Sequence, residues 1–179
     1  MIEFFENAIV YVLENEDGYV DDKDDGGGAT NHGITRETLS TWLGRPASPE
    51  DVKALTRYDV LPIYQEYFWK PLRCDKITVP PLATIILDAG VLFGVATSAL
   101  FAQKAAIACG AKPTALDGVI GSTTLAAINS TSAACLVPHF QALLLKRIAR
   151  IIEIQPKSKK YQAGWESRVN AYSLLLKGA

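Results

Sequence analysis

The sequence predicts a mainly α-helical fold, a helical bundle with one small β-hairpin and loop region near the N-terminus. Apolar residues recur at three- and four-residue steps in most segments, which is the periodicity of amphipathic helices. Glycine and aspartate instead concentrate in residues 17–33, where five of each occur. A chain of 179 residues is long enough to bury a sizeable core. We therefore expect residues 1–179 to form one compact unit.

The first predicted helix covers residues 2–15. One face carries apolar residues at helical spacing: Ile2, Phe5, Ile9, Val12 and Leu13. One further helical step reaches Glu16, so this carboxyl faces the apolar side of the helix, whereas Glu14 faces water. The glycine-rich loop follows, with a short hairpin expected around Tyr19-Val20 and Gly33-Ile34.

The rest of the chain predicts helices separated by turns. Thr35 and Ser48 are suitable N-caps for two short helices. Asp117 to Gly121 predicts a tight turn, after which Ser122 caps a helix. The longer predicted helices are residues 58–70, 82–92, 97–108, 122–129, 132–154 and 161–177.

Composition excludes several classes of function. The formal net charge of −1 provides no general basic field for nucleic acid or for an anionic membrane. No apolar run reaches the roughly 20 residues of a membrane span, so stable membrane insertion is not expected. The N-terminus also lacks the basic start and apolar core of a signal peptide.

The three cysteines, Cys74, Cys109 and Cys135, are expected to be buried thiols of a protein that folds in a reducing cytoplasm.

Glu16 is the strongest candidate for a chemical role. A carboxyl group held against apolar neighbours resists ionisation and can donate a proton near neutral pH. A second carboxylate on the adjacent loop, in a wetter place, would remain charged. Two carboxylates in opposed environments are the working groups of a glycosidase. Calcium binding by the acidic loop is an alternative, but its spacing does not fit an EF-hand, and we predict neither a metal nor a cofactor.

Residues 16–35 resemble glycoside hydrolase family 108, the N-acetylmuramidases that carry an appended peptidoglycan-binding-like half. The matching positions are Glu16, Gly18, Tyr19, Asp22, Asp25, Gly27, Gly28, Thr30, Gly33 and Ile34. The departures are Asp17, Asp21 and His32. Further similar segments are residues 63–69, 88–91, 117–125 and 164–169, so the resemblance extends over nearly the whole chain.

The resemblance implies an α+β lysozyme-like fold, with a catalytic half at 1–92 and a peptidoglycan-binding-like helical half at 93–179. The implied reaction is hydrolysis of the β-1,4 bond between N-acetylmuramic acid and N-acetylglucosamine. Asp117 to Gly121 resembles a peptidoglycan-binding turn. The protein would be a phage endolysin, or a bacterial cell-wall hydrolase that serves secretion. It would be made in the bacterial cytoplasm and would act on peptidoglycan in the periplasm, with a holin as a possible export partner.

The resemblance also implies the site residues. Glu16 would be the general acid, Asp25 the second carboxylate with Asp22 as its rival, and Thr30 the residue that holds the attacking water. The expected substrate contacts are Tyr19, Asp22, Gly28, His32 and Tyr64. Two other functions remain open: a non-catalytic peptidoglycan-binding or secretion-accessory module, and a lytic transglycosylase, which needs no second carboxylate.

Overall fold

The structure, a computed structural model, describes residues 2–16, 18–21, 28–112 and 115–177. Within these ranges it is mainly helical, as the sequence predicts. The α-helices are α1 (Ile2–Glu14), α2 (Arg36–Leu43), α3 (Pro49–Lys53), α4 (Arg57–Tyr64), α5 (Pro80–Phe93), α6 (Val95–Ala108), α7 (Ser122–Ser130), α8 (Ala133–Ile154) and α9 (Gln162–Leu175). A π-helical turn (Gln65–Trp69) continues α4, and 3-10 helices cover Cys74–Lys76 and Pro156–Tyr161.

Helix α1 ends sooner than predicted, two residues before Glu16. The Asn15 side chain donates a hydrogen bond of 2.8 Å to the carbonyl oxygen of Tyr11, and a side-chain bond of this kind competes with the continuing helix. Val12 and Leu13 are buried and Glu14 is exposed, as expected from the apolar stripe. Glu16 therefore lies in the bend after the helix, on the path towards the sheet.

The small β element is a three-stranded antiparallel sheet of β1 (Val20–Asp21), β2 (Ala29–Asn31) and β3 (Ile34–Thr35). The predicted hairpin paired the wrong segments, because Val20 lies opposite Thr30 and not opposite Gly33-Ile34. His32 and Gly33 both have positive φ, at 48° and 72°, as a two-residue hairpin turn requires. This turn joins β2 directly to β3, and Asn31 then anchors the sheet to α3 through the carbonyl oxygens of Val52 and Lys53.

Helix caps explain several of the boundaries. Thr35 accepts from the backbone N–H of Thr38, and Ser48 forms a reciprocal capping box with Asp51, so both predicted caps are confirmed. A further capping box links Thr56 with Asp59, before α4. The cap predicted at Ser122 is wrong, because Gly121 occupies the N-cap position and Ser122 is already helical.

Helix α5 runs through the centre of the core. Its residues from Leu82 to Gly90 are all buried, and it packs against α1, α6 and α9. A helix that is apolar on every side is stable only when other elements surround it. Its one acidic residue, Asp88, therefore lies fully buried. No helix among the described residues is both long and apolar enough to cross a membrane.

The cysteines differ from the prediction. Cys74 is a buried thiol, and burial raises its pKa above the ordinary value. Cys109 and Cys135, expected to be free thiols as well, form a disulfide between the end of α6 and the start of α8. Their sequence spacing gave no sign of the pairing, because the packing of α6 against α8 brings them together. A disulfide is typical of oxidising compartments, which does not support the expectation of a reducing cytoplasm.

Replacing both Cys109 and Cys135 with serine is expected to lower the free energy of unfolding by about 3 kcal/mol, because the bond closes a 26-residue loop in the unfolded chain. Urea unfolding of the parent and of the double variant measures the loss. A thiol reductant should destabilise the parent by a similar amount and leave the double variant unchanged. Equal stability of the oxidised parent and the variant would contradict the prediction.

Candidate active site

Glu16 lies in an open groove of about 590 Å³ between the small sheet and α9. Its side chain is only 16% exposed, although the groove opens to solvent. The lining residues come from both halves of the sequence: Asn15, Glu16, Gly18, Val20, Gly28, Thr30, Leu92, Lys160, Tyr161, Gly164, Trp165, Ser167, Arg168 and Ala171. Residues distant in the sequence therefore line the same groove as the Glu16 carboxyl group.

Arg168 of α9 fixes the position of Glu16. Its Nη1 donates to Oε1 of Glu16 at 2.6 Å and to the carbonyl oxygen of Asn15 at 3.0 Å. One guanidinium group thus holds both the side chain and the adjacent backbone of the bend. Charge-assisted hydrogen bonds of this length are stronger than neutral ones and define direction as well as distance.

Asp88 holds Arg168 from the other side. Nε of Arg168 lies 3.0 Å and 3.1 Å from the two oxygens of the buried carboxylate, and Nη2 lies 2.6 Å from Oδ1. Tyr172 completes the group by donating to Oδ2 at 2.7 Å. A buried carboxylate is tolerated only when charged and hydrogen-bonding partners compensate its lost hydration. Asp88, Arg168, Tyr172 and Glu16 therefore form one connected network, which we call the Asp88 network.

The titration behaviour of the network follows from burial and charge. Burial by itself would lower the pKa of Arg168, but hydrogen bonds and charge from Asp88 and Glu16 raise it above its ordinary value. Burial, and then the charge of Asp88, raises the pKa of Tyr172 well above 10 and that of Tyr11 to about 12. Arg168 thus stays cationic and both phenols stay neutral over the physiological pH range.

Gly33 and Tyr64 lie next to Glu16, on the side of the β2–β3 turn. Tyr64 is fully buried, and its hydroxyl donates to the carbonyl oxygen of His32 at 2.8 Å. A Cβ atom added at Gly33 would lie 2.3 Å from that hydroxyl and 3.1 Å from Oε2 of Glu16. The turn and the glutamate can approach this closely only because residue 33 has no side chain.

Gly33→Ala is expected to reduce activity far more than a strained backbone alone would, because the new methyl group must displace Tyr64 or Glu16. Gly44→Ala is the matched control. Gly44 also has positive φ, at 65°, but nothing lies within 4 Å of its added Cβ. Backbone strain should cost each variant about 1–2 kcal/mol of stability. Gly33→Ala should lose more stability because of the overlap, and only Gly33→Ala should lose activity when both variants are assayed fully folded. Equal activity of the two folded variants would contradict this role of Gly33.

The predicted site residues other than Tyr64 divide into three groups. Glu16, Gly28 and Thr30 line the groove, and Gly28 has the positive φ of 66° expected for the glycine-rich loop. Tyr19 and His32 are absent from the described groove lining: the amine of Lys53 lies 5.7 Å from the Tyr19 ring centroid, and His32 belongs to the β2–β3 turn. The predictions for Asp22 and Asp25 fall outside the described residues.

The predicted sugar contact of Tyr64 is inconsistent with its position. A ring with no exposed surface cannot stack on a sugar, and its hydroxyl is already bonded to His32. Burial and the charge of Glu16 raise the pKa of Tyr64 well above 10, so the hydroxyl remains a donor. Aromatic residues at helical spacing more often belong to the core than to a binding site, and Tyr64 follows that tendency. Its role is to support the turn beside Glu16.

Sequence reasoning missed the Asp88 network as a unit. Asp88 and Arg168 each belong to a segment that resembles the family, but nothing in the spacing shows that they meet. The available signal was Asp88 itself, the one acidic residue in an otherwise apolar predicted helix. A buried acid predicts a buried basic partner, although it does not identify which one.

Internal contacts explain the turn from Asp117 to Gly121. Nε2 of Gln103 donates to the Asp117 carboxylate and to the Val119 carbonyl, which fixes the turn from Asp117 to Gly121. The bond from Gln103 and one from the Val119 backbone lower the pKa of Asp117. The predicted cell-wall contact of this turn stays a prediction.

Among the described residues, Cys109, Cys135 and His139 have metal-ligand spacing, with their ligand atoms within 4.8 Å of one another. The two sulfurs form the disulfide and so do not provide the thiolates that bind metals.

A mainly helical lysozyme-like fold that holds a glutamate in an open groove beside a small sheet has the architecture of a glycosidase. The family model for glycosyl hydrolase 108 matches residues 9–94. Among solved structures, the chain is similar to that of SagA from Brucella abortus, with 34% identity over 99% of this chain and 96% of that chain and a TM-score of 0.82. Comparison with curated proteins by sequence gives no match. The chain belongs to the glycosyl hydrolase 108 family, and it is a glycosidase.

Proposed function

We propose that the protein hydrolyses the β-1,4 bond between N-acetylmuramic acid and N-acetylglucosamine in peptidoglycan, with Glu16 as the general acid. The observation that carries the proposal is the Glu16 carboxyl group in the groove, with one oxygen fixed by Arg168.

The structure places Glu16 against the cationic Arg168 and not only against apolar neighbours, and a nearby cation favours the carboxylate form. The two oxygens of Glu16 have different surroundings, so we assign the proton-donating role to the oxygen that does not contact Arg168. Oε1 accepts from Arg168, whereas Oε2 lies on the side of Gly33. A protonated Glu16 can keep the bond from Arg168 on its carbonyl oxygen while its hydroxyl points elsewhere. In the proposed reaction this hydroxyl donates its proton to the glycosidic oxygen as the bond to the sugar breaks, and the glutamate becomes the carboxylate that Arg168 stabilises.

The remaining groups of the reaction are proposed from the sequence pattern. Asp25 would stabilise the oxocarbenium-like state or orient water, with Asp22 as the rival. Thr30 would hold the attacking water, and its place in the groove lining supports this assignment. A separation of roughly 6.5–9.5 Å between the two carboxyl groups would give inversion, and about 5 Å would give retention.

Action outside the cytoplasm is consistent with the disulfide between Cys109 and Cys135, since such bonds persist in oxidising compartments. The proposed substrate also lies outside the cytoplasm. We therefore propose that the protein works in the periplasm, as a phage endolysin or as a cell-wall hydrolase that serves secretion. A holin-type partner would provide the export route of an endolysin.

Mass spectrometry of the fragments that the parent protein releases from purified peptidoglycan tests the reaction. We expect reducing N-acetylmuramic acid ends. Anhydro-muramic ends would show a lytic transglycosylase, and reducing N-acetylglucosamine ends would show cleavage of the other glycosidic bond. Binding without any released fragment would show a non-catalytic module. Each of these three outcomes would overturn the proposal.

A further inference from the structure

A cluster of metal-ligand side chains lies where the end of α6 meets the start of α8, and none of its members is in the described groove lining. Cys109 follows the last residue of α6, and Cys135 and His139 are four positions apart in α8. Side chains at this spacing share one face of a helix, an arrangement that zinc-binding helices use for two of their ligands. The packing of α6 against α8 brings Cys109 to that same face.

The imidazole of His139 lies close to both sulfur atoms. Its Nδ1 is 3.6 Å from Sγ of Cys109 and 4.0 Å from Sγ of Cys135. Ligand atoms that share one tetrahedral zinc ion, each about 2.0–2.3 Å from it, lie within about 4 Å of one another. The nitrogen therefore has the separation from both sulfurs that a shared ion requires. What prevents binding in this form of the protein is the disulfide, since its sulfurs are not thiolates.

The surroundings of the cluster allow an ion to enter. His139 is exposed, and Cys109 and Cys135 are half-buried. Nδ1 of His139 also lies 3.0 Å from the carbonyl oxygen of Cys135, a contact within its own helix that a metal ion can replace when the ring proton is on Nε2. A divalent ion bound by two thiolates and a neutral imidazole has no net charge, so a half-buried position does not have to bury one.

We propose that Cys109, Cys135 and His139 form a binding site for Zn²⁺ when their disulfide is reduced. Two thiolates and an imidazole are a ligand set that zinc prefers, and a water molecule would complete its four-coordination. The same residues would thus form a disulfide in an oxidising compartment and a metal site in a reducing one. The proposal is independent of the proposed function, because neither state adds a residue to the described groove lining.

Reduction and metal binding are two separate, balanced steps. A phosphine gives two electrons to the S–S bond and takes the oxygen atom of a water molecule, so it becomes a phosphine oxide while the two protons of that water end on the two sulfurs. In a cell, a dithiol would supply the electrons by exchange and would itself become a disulfide. Each thiol then releases its proton as it binds the ion, so that two protons leave as two metal–sulfur bonds form.

Titration of the whole protein with Co²⁺ tests the proposal, because Co²⁺ can replace Zn²⁺ and its thiolate complexes absorb in the near ultraviolet. The phosphine-reduced parent is expected to bind one Co²⁺ per chain with this absorption, and an excess of Zn²⁺ should remove it. The oxidised parent should show no such absorption. A reduced parent without the thiolate absorption, or an oxidised parent with the same absorption, would overturn the proposal.

The two histidines of the chain provide a matched pair of variants. His139→Asn should weaken the Kd of the reduced protein for Co²⁺ at least tenfold, since loss of an outer-shell partner alone costs about 10- to 100-fold. His32→Asn should leave the Kd unchanged, and asparagine tolerates the positive φ of residue 32. Equal Kd values for the two folded variants would overturn the assignment of His139.

The cysteines provide a second matched pair. Cys135→Ala should abolish the one-to-one binding, because it removes a ligand. Cys74→Ala should keep the full absorption, because Cys74 is a buried thiol outside the cluster. Full absorption in folded Cys135→Ala, or its loss in folded Cys74→Ala, would overturn the proposed ligand set.

Discussion

Glu16→Gln is expected to lower the rate of peptidoglycan hydrolysis by about 10²- to 10⁴-fold, the usual contribution of a general acid. Glutamine has the same shape, and its oxygen can still accept the hydrogen bond from Arg168, but it has no acidic proton to donate. The fold should therefore persist while the proton transfer is lost. Release of fragments from purified peptidoglycan, followed with time, measures the rate.

Glu14→Gln is the control for Glu16→Gln. Glu14 is exposed at the end of α1, two positions before Glu16. The substitution Glu14→Gln removes the same formal charge as Glu16→Gln. Its variant should retain the parent rate. A folded Glu16→Gln variant that releases fragments as fast as the parent would remove Glu16 from the reaction altogether.

Arg168→Met is expected to lower the free energy of unfolding by about 3–5 kcal/mol, because it leaves the buried Asp88 carboxylate without its cation. It should also lower kcat more than it changes KM, since Glu16 loses the group that fixes its position. Arg168→Lys should recover part of both losses, because an ammonium group keeps the charge but lacks the fork that reaches Asp88 and Glu16 together. Urea unfolding measures the first effect, and kinetics at a temperature where every variant is folded measure the second.

Two comparisons separate stability from positioning. Arg150→Met breaks an exposed ion pair with Glu153, so its stability should change by less than about 1 kcal/mol. Asp88→Asn should destabilise the protein but leave the contact between Arg168 and Glu16 possible. If folded Arg168→Met and folded Asp88→Asn have the same kcat, Arg168 stabilises the fold without positioning Glu16.

The sequence predicted those features that depend on interactions between residues close together in the chain. Helical periodicity predicted α1, α5, α6, α8 and α9 to within a few residues, and the chemistry of Thr35 and Ser48 predicted their caps. The glycine-rich stretch predicted a small β element, although the strand pairing was wrong. Local pattern did not reveal that His32 and Gly33 would form a two-residue turn and so join β2 to β3.

Of the residues that line the candidate site, only those from the N-terminal motif could be predicted from the sequence. The groove lining of Glu16, Gly28 and Thr30 comes from the segment that contains the motif. Arg168, Tyr161 and Trp165 reach the same groove only after α9 has packed against the earlier helices. The disulfide between Cys109 and Cys135 depends on packing in the same way. Contacts between distant segments are set by the assembled fold, so a pattern read along the chain does not contain them.

The hydrogen bond between Glu16 and Arg168 joins positions 152 residues apart. Residues 9–94, the part matched by the family model, include the glutamate but not the arginine that fixes it. A fragment cut at that boundary would contain Asp88 and Glu16 but would lack the guanidinium group that contacts both of them. During translation the ribosome must synthesise α9 before the two can meet. Any activity that requires Glu16 to be held by Arg168 can therefore arise only after α9 has been synthesised.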